Sequence, residues 1–165
     1  DPEQVLGLVR DYMAAMTALV VRRGGRVDKI MGDGLLAVFG DPIPIPDHAT
    51  AAVRAALEMQ EELVTLNARW AAQGRPPVTI RVGVASGEVF VGNIGAEGAK
   101  IEYTVLGAAV NLAARLQAKA DAGGVLVSEQ TREECGAAFV FESVGGLELK
   151  GFDEVTTAWR VSRRG

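Results

Sequence analysis

Asn111 and Arg115 stand four residues apart in a stretch, Gly107 to Leu116, that is otherwise small or aliphatic. On a helix, residues at this spacing share a face, roughly 6 Å apart along the axis. One amide and one guanidinium then look the same way from an apolar helix. The guanidinium is a rigid donor fork suited to phosphate, and the amide adds a directed hydrogen bond. Such a pair can grip a polyanion, or it can be a solvated outer face. A second candidate is Asp33, between the apolar runs Ile30-Met31 and Leu35 to Phe39. Asp33-Gly34 is a short-hairpin signal, so Asp33 is either a turn former or a hard oxygen ligand on a hairpin tip. A carboxylate so placed can hold Mg²⁺ together with substrate phosphates. Lys29 is either a charge at a strand edge or a donor to a ligand. Lys150 precedes Gly151 and reads equally as a turn residue or as a phosphate contact.

Helices and hairpins must position these groups. Pro2 to Arg23 reads as a helix with Val5, Val9, Tyr12, Met16 and Leu19 at helical spacing, ended by Gly24-Gly25. A hairpin follows over 26–39, and the Pro-rich 41–46 is a loop. Asp47 is expected to cap a helix to Gln73 with Ala52, Ala56, Met59, Leu63, Leu66 and Trp70 inward. Val78 to Ala85 and Glu88 to Ile94 read as paired strands around Ser86-Gly87, and Gly92 to Lys100 as a mobile loop. Ala108 to Ala120 is the helix carrying Asn111 and Arg115. Val125 to Val127 is a strand, Ser128 caps another helix, and 139–149 and 156–161 supply the last strands. The mixture implies an α+β layer, helices on one face of a mainly antiparallel sheet.

The 165 residues fit one domain large enough to bury a core without staples. A single cysteine, Cys135, excludes an internal disulfide and a cysteine-rich zinc site, and it reads as packing. A net charge of −4 argues against a general nucleic-acid binder, so an anionic substrate must be met by local cations. No apolar run approaches the roughly 20 residues of a bilayer span, and membrane contact by this domain is not expected. His48, the only histidine, follows a helix cap and reads as structural or solvated. Neither a Walker-type phosphate loop nor a dinucleotide fingerprint is present, which disfavours an ordinary kinase or dehydrogenase.

Several segments occur in an informative order: Asp28 to Asp33, Arg81 to Gly87, Gly92 to Gly95, Tyr103 to Arg115, and Leu149 to Phe152. In these the chain resembles the class III nucleotidyl cyclase catalytic domain, most closely the bacterial adenylyl cyclases. The resemblance runs over nearly the whole chain. It implies a ferredoxin-like βαββαβ core with added strands. It also implies conversion of ATP to 3′,5′-cyclic AMP and pyrophosphate with two divalent cations, Mg²⁺ or Mn²⁺. Asp33 is then a metal ligand. A second metal aspartate, on a first core strand, is expected upstream of Asp1, so a longer parent chain is expected. Asn111 and Arg115 match the pair that orients the ribose and faces the phosphorus under attack. Lys150 matches a polyphosphate contact, and Lys29 with Thr104 the purine contacts. Many family members carry aspartate where this chain has Thr104. Threonine can accept as well as donate, so adenine remains the expected base with weaker discrimination.

Family geometry divides these groups between two chains of a homodimer, Asp33 from one facing Lys29, Thr104, Asn111, Arg115 and Lys150 of the other. A cytoplasmic domain is implied, in a parent that is soluble or membrane-attached. Guanylyl cyclase is the alternative of the same chemistry. A non-catalytic nucleotide-binding or dimerisation module is the alternative of a different class. A diguanylate cyclase is disfavoured, because Gly24-Gly25 is not followed by an acidic residue, Glu and Phe.

Overall fold

Asp1 opens the first helix, its carboxylate accepting from the backbone N–H of Glu3 at 3.1 Å, and Pro2 takes a first-turn position where its missing N–H is harmless. The computed structural model describes residues 1–95, 97–98 and 100–164. It divides into two units, Asp1–Arg81 with Asp121–Gly124, and Val82–Ala120 with Val125–Arg164.

In the first unit, helix α1 (Pro2–Arg22) is followed by strands β1 (Arg26–Met31) and β2 (Gly34–Val38) and by helix α2 (His48–Ala72). Met16, Leu19 and Val20 of α1 pack with Met59, Leu63, Leu66 and Trp70 of α2. The hairpin adds Val27, Leu35, Ala37 and Phe39 to that core. By length and composition α1 is apolar enough to cross a membrane, contrary to the expectation that no run approaches that length; Met13, Met16, Leu19 and Val20 are nonetheless buried in this fold. Val5 stays exposed. Asp47 stands at the N-cap of α2 but makes no side-chain capping bond. Ala52 is only half-buried, whereas the other five expected inward residues of α2 are buried, along with Val53, Ala55 and Leu57. Glu58 is buried as well, paired with Arg22 and Arg23.

The expected strand from Val78 does not form, and Asn67 explains why. Its side chain accepts from the Val78 N–H and donates to the Val78 carbonyl, both at 2.8 Å. These are the two groups a ladder would need. Gln60 similarly donates to the carbonyls of Ile80 and Gly124.

The second unit begins with β3, only Val82–Val84, followed by β4 (Phe90–Ile94), β5 (Glu102–Leu106), helix α3 (Ala108–Lys119), β6 (Val125–Ser128), helix α4 (Glu129–Cys135), β7 (Val140–Leu147) and β8 (Thr156–Ser162). The expected β3–β4 hairpin is replaced by two other pairings. β4 pairs antiparallel with β5, while β3 pairs parallel with β6. A parallel pair needs a crossover, and α3 lies on it. The ladder order is β3-β6-β8-β7, with antiparallel pairing at β6–β8 and β7–β8. The class is α+β and mainly antiparallel, as expected. The proposed mobile loop shrinks, since Gly92 to Ile94 belong to β4; Ala96 and Ala99 lie outside the described residues. Cys135 is buried at the end of α4, as a packing residue should be.

Gly83 decides how α3 sits. A Cβ there would overlap the Ala113 carbonyl and the Gln117 nitrogen, so helix and strand meet backbone against backbone. Gly83→Val is therefore expected to lower unfolding stability by about 1–3 kcal/mol or more through overpacking. Thermal denaturation followed by circular dichroism checks this; an unchanged midpoint would show that the contact yields freely.

Candidate active site

On the first unit, Lys29 and Asp33 occupy one hairpin. Met31 pairs with Gly34, so the connecting residues are Gly32 and Asp33, one position earlier than the Asp33-Gly34 signal suggested. Gly32 has φ +61° while Asp33, like every described non-glycine residue, does not have positive φ. Glycine at the first central position is what a type II′ turn requires. Asp33 thus sits on the exposed tip as expected. Its charge is felt nearby: burial first, and Asp33 second, push the Tyr12 phenol pKa up from its ordinary value. Lys29 is also exposed.

On the second unit, α3 carries Asn111 exposed and Arg115 half-buried, with Leu116 between helix and core fully buried. Leu112 and Leu116 rest in the same cluster as Leu149 and Phe152. Those last two flank Lys150. The Phe152 N–H donates to the Leu149 carbonyl at 3.1 Å, and Gly151 has φ +88°, which fits a type II turn with Lys150 at its exposed corner. One apolar cluster therefore seats both the helix of Arg115 and the turn of Lys150. Thr104 lies on β5 directly opposite Gly92 of β4, half-buried. A Cβ on Gly92 would meet nothing within 4 Å, so the space before Thr104 is open.

Of the six predicted residues, Lys29 and Asp33 thus lie on one hairpin of the first unit, and Thr104, Asn111, Arg115 and Lys150 lie in the second unit. Sequence reasoning missed two glycines that shape them. Gly83 seats α3, and Gly92 keeps the face of Thr104 clear. Their signal was available: both stand inside strand patterns, where glycine weakens the strand unless something approaches closely. His48 is exposed at the start of α2, away from any of these groups in sequence.

A model of the adenylate and guanylate cyclase catalytic domain matches residues 1–161. The chain belongs to this family. It is 31% identical over 153 residues to adenylate cyclase 1 of Rhizobium meliloti, covering 92% of this chain and 23% of that protein. It is 30% identical over 163 residues to an adenylate cyclase of Mycobacterium tuberculosis, covering 99% and 35%. The chain therefore spans about a quarter to a third of the length of these curated relatives. Among solved structures it resembles the adenylyl cyclase CyaB from P. aeruginosa with a TM-score of 0.95 at 30% identity, over 100% of this chain and 85% of that one. It also resembles the guanylyl cyclase Cya2 with a TM-score of 0.93 at 33% identity, over 100% and 83%. The fold and the class III cyclase catalytic family are thereby established, and both nucleotide specificities occur among its neighbours.

Cyclase domains depend on divalent metal. Among the described residues, no group of three or more His, Cys, Asp or Glu could hold a metal ion. An exposed aspartate on a hairpin tip fits the other arrangement, one protein oxygen beside substrate phosphates and water.

Proposed function

We propose that this cyclase domain is an adenylyl cyclase working as a homodimer with shared sites, in the cytoplasm where ATP is abundant. The observation that carries the reading is the pairing of Asn111 and Arg115 on the outward side of α3, behind which Leu116 is fully buried. A rigid helix can hold an amide and a guanidinium on a reacting phosphate without reorganising. In the reaction the ribose 3′ oxygen bonds to the α phosphorus, the bond to pyrophosphate breaks, and the 3′ proton passes to water or to a substrate phosphate oxygen. Arg115 faces the phosphorus as negative charge shifts to the leaving group. Asn111 orients the ribose. Lys150, at the corner of its turn, meets the polyphosphate as a point charge. Lys29 and Thr104 contact the purine, a fixed donor and an adaptable hydroxyl. Asp33, with the substrate phosphates, would hold Mg²⁺ or Mn²⁺, which would supply charge neutralisation and polarise the attacking hydroxyl.

The dimer is supported by the β4–β5 hairpin. Phe90, Ile94 and Leu106 share one of its faces and are 78%, 51% and 50% exposed. An apolar face of this kind marks an interaction surface.

Product analysis tests the proposal. Purified protein with ATP or GTP, in Mg²⁺ and in Mn²⁺, should yield cyclic AMP and pyrophosphate in equal amounts. The rate per chain should rise with protein concentration until dimers saturate. The guanylyl cyclase reading is favoured by one observation, that a rotatable hydroxyl stands at 104, and faster turnover of GTP than ATP would select it. A cyclic product from neither nucleotide would leave the non-catalytic module.

A further inference from the structure

The β1–β2 ladder contains one irregularity, and it falls beside Lys29. Val27 pairs with Ala37, but the next pair is Lys29 with Leu36, leaving Asp28 as an extra residue. Val27, Leu35 and Ala37 pack on the core. Side chains alternate along a strand, so in an unbroken ladder Lys29 would share the face of Val27 and stand opposite Leu35, where Ile30 now stands. The extra residue moves every later side chain of β1 to the opposite face. Lys29 thereby lies opposite Leu36 instead of Leu35, and it is exposed, as Ile30 and Met31 are.

Asp28 is held for this purpose in an unusual way. Its side chain is 0% exposed, and Arg26 Nη1 donates to its Oδ1 at 2.8 Å. Its Oδ2 is buried with no hydrogen-bond partner among the described residues. The same guanidinium reaches into the loop after β2, donating from Nη2 to Asp41 Oδ2 at 2.9 Å and from Nε to the Asp41 carbonyl at 3.1 Å. Burial opposes the charge on Arg26, but hydrogen bonds to Asp28 and Asp41 outweigh it and push the guanidinium pKa up. A buried carboxylate with an orphan oxygen is poor stabilisation. It does suit a device that fixes geometry.

We infer that Arg26 and Asp28 are positioning residues: their buried ion pair, anchored on Asp41, holds a one-residue bulge that turns Lys29 from the core face of the hairpin to the outer face. As a specificity device this rests on the cyclase reading, in which Lys29 meets the purine.

Two measurements test it. The first is independent of activity. In a Lys29→Cys background the introduced thiol should react readily with a soluble maleimide, with the buried Cys135 as slow internal reference. Deleting Asp28, or replacing Arg26 by methionine, should slow that labelling while cooperative unfolding persists. If Arg26→Met does not fold, Arg26→Lys, which loses the fork but keeps a charge, takes its place with a smaller slowing. Labelling at the parent rate in folded variants overturns the inference.

The second measurement is a cycle. Arg26→Lys should raise the KM for ATP roughly tenfold with little change in kcat, and lower the ATP-over-GTP preference. In a Lys29→Ala background it should do neither, because the two act through one side chain. Additive effects overturn the inference. Should the parent protein make no cyclic nucleotide, the cyclase reading fails, and the labelling still decides the bulge.

Discussion

Arg115→Ala and Asn111→Ala are each expected to lower turnover on the order of 10²–10³ with the fold intact. Removing a donor aimed at developing charge forfeits an interaction that exists mainly in the transition state, so kcat should fall more than KM changes. The structure separates this effect from damage. Leu112, Leu116 and the Gly83 contact seat α3 through apolar side chains and backbone, not through the two polar side chains. Asn111 is exposed, and truncating it removes no core contact. Steady-state kinetics with thermal denaturation on the same preparations checks the claim. Full turnover in either folded variant would refute the assigned role.

Asp33→Ala is expected to lower metal-dependent turnover on the order of 10³, several kcal/mol of lost charge stabilisation. The exposed tip makes this substitution structurally mild, since Gly32 rather than Asp33 carries the positive φ of the turn. The dimer proposal adds a sharper consequence. Asp33→Ala and Arg115→Ala chains, each reduced to residual turnover alone, should recover activity when mixed. A mixed dimer has one site with both residues intact and one with neither. Random pairing makes half the dimers mixed, so an equal mixture should regain about one quarter of parent activity. Mixing after unfolding and refolding, to ensure exchange, gives the measurement. No recovery despite demonstrated exchange would mean that each chain holds Asp33 and Arg115 at the same site.

Local structure was legible in the sequence, and strand pairing was not. α3 was legible because small and aliphatic residues surround Asn111 and Arg115 at helical spacing, and helical spacing is itself the geometry. Lys150 was legible as a turn residue because Gly151 supplies the positive φ the turn needs. Strand partners were not legible. β3 joins β6 some forty residues away, and no local turn signal announces a parallel pair. The β strand expected at Val78 is undone by Asn67, a polar residue that from sequence looked like part of a solvated helix face. The hairpin tip slipped by one residue because either glycine around Asp33 could have entered the turn, and Gly32 does. The bulge at Asp28 leaves no mark in the alternation of residue types; it depends on an arginine two residues earlier and an aspartate thirteen residues later.

The backbone-on-backbone seat of α3 at Gly83 leaves that helix no slack. A designer seeking to retune which nucleobase is accepted should keep positions 83, 113 and 117 untouched and diversify 29, 92 and 104 instead. Exchange at those strand sites leaves the seat of α3 untouched, so under the proposed roles selectivity and catalytic power would become separable knobs.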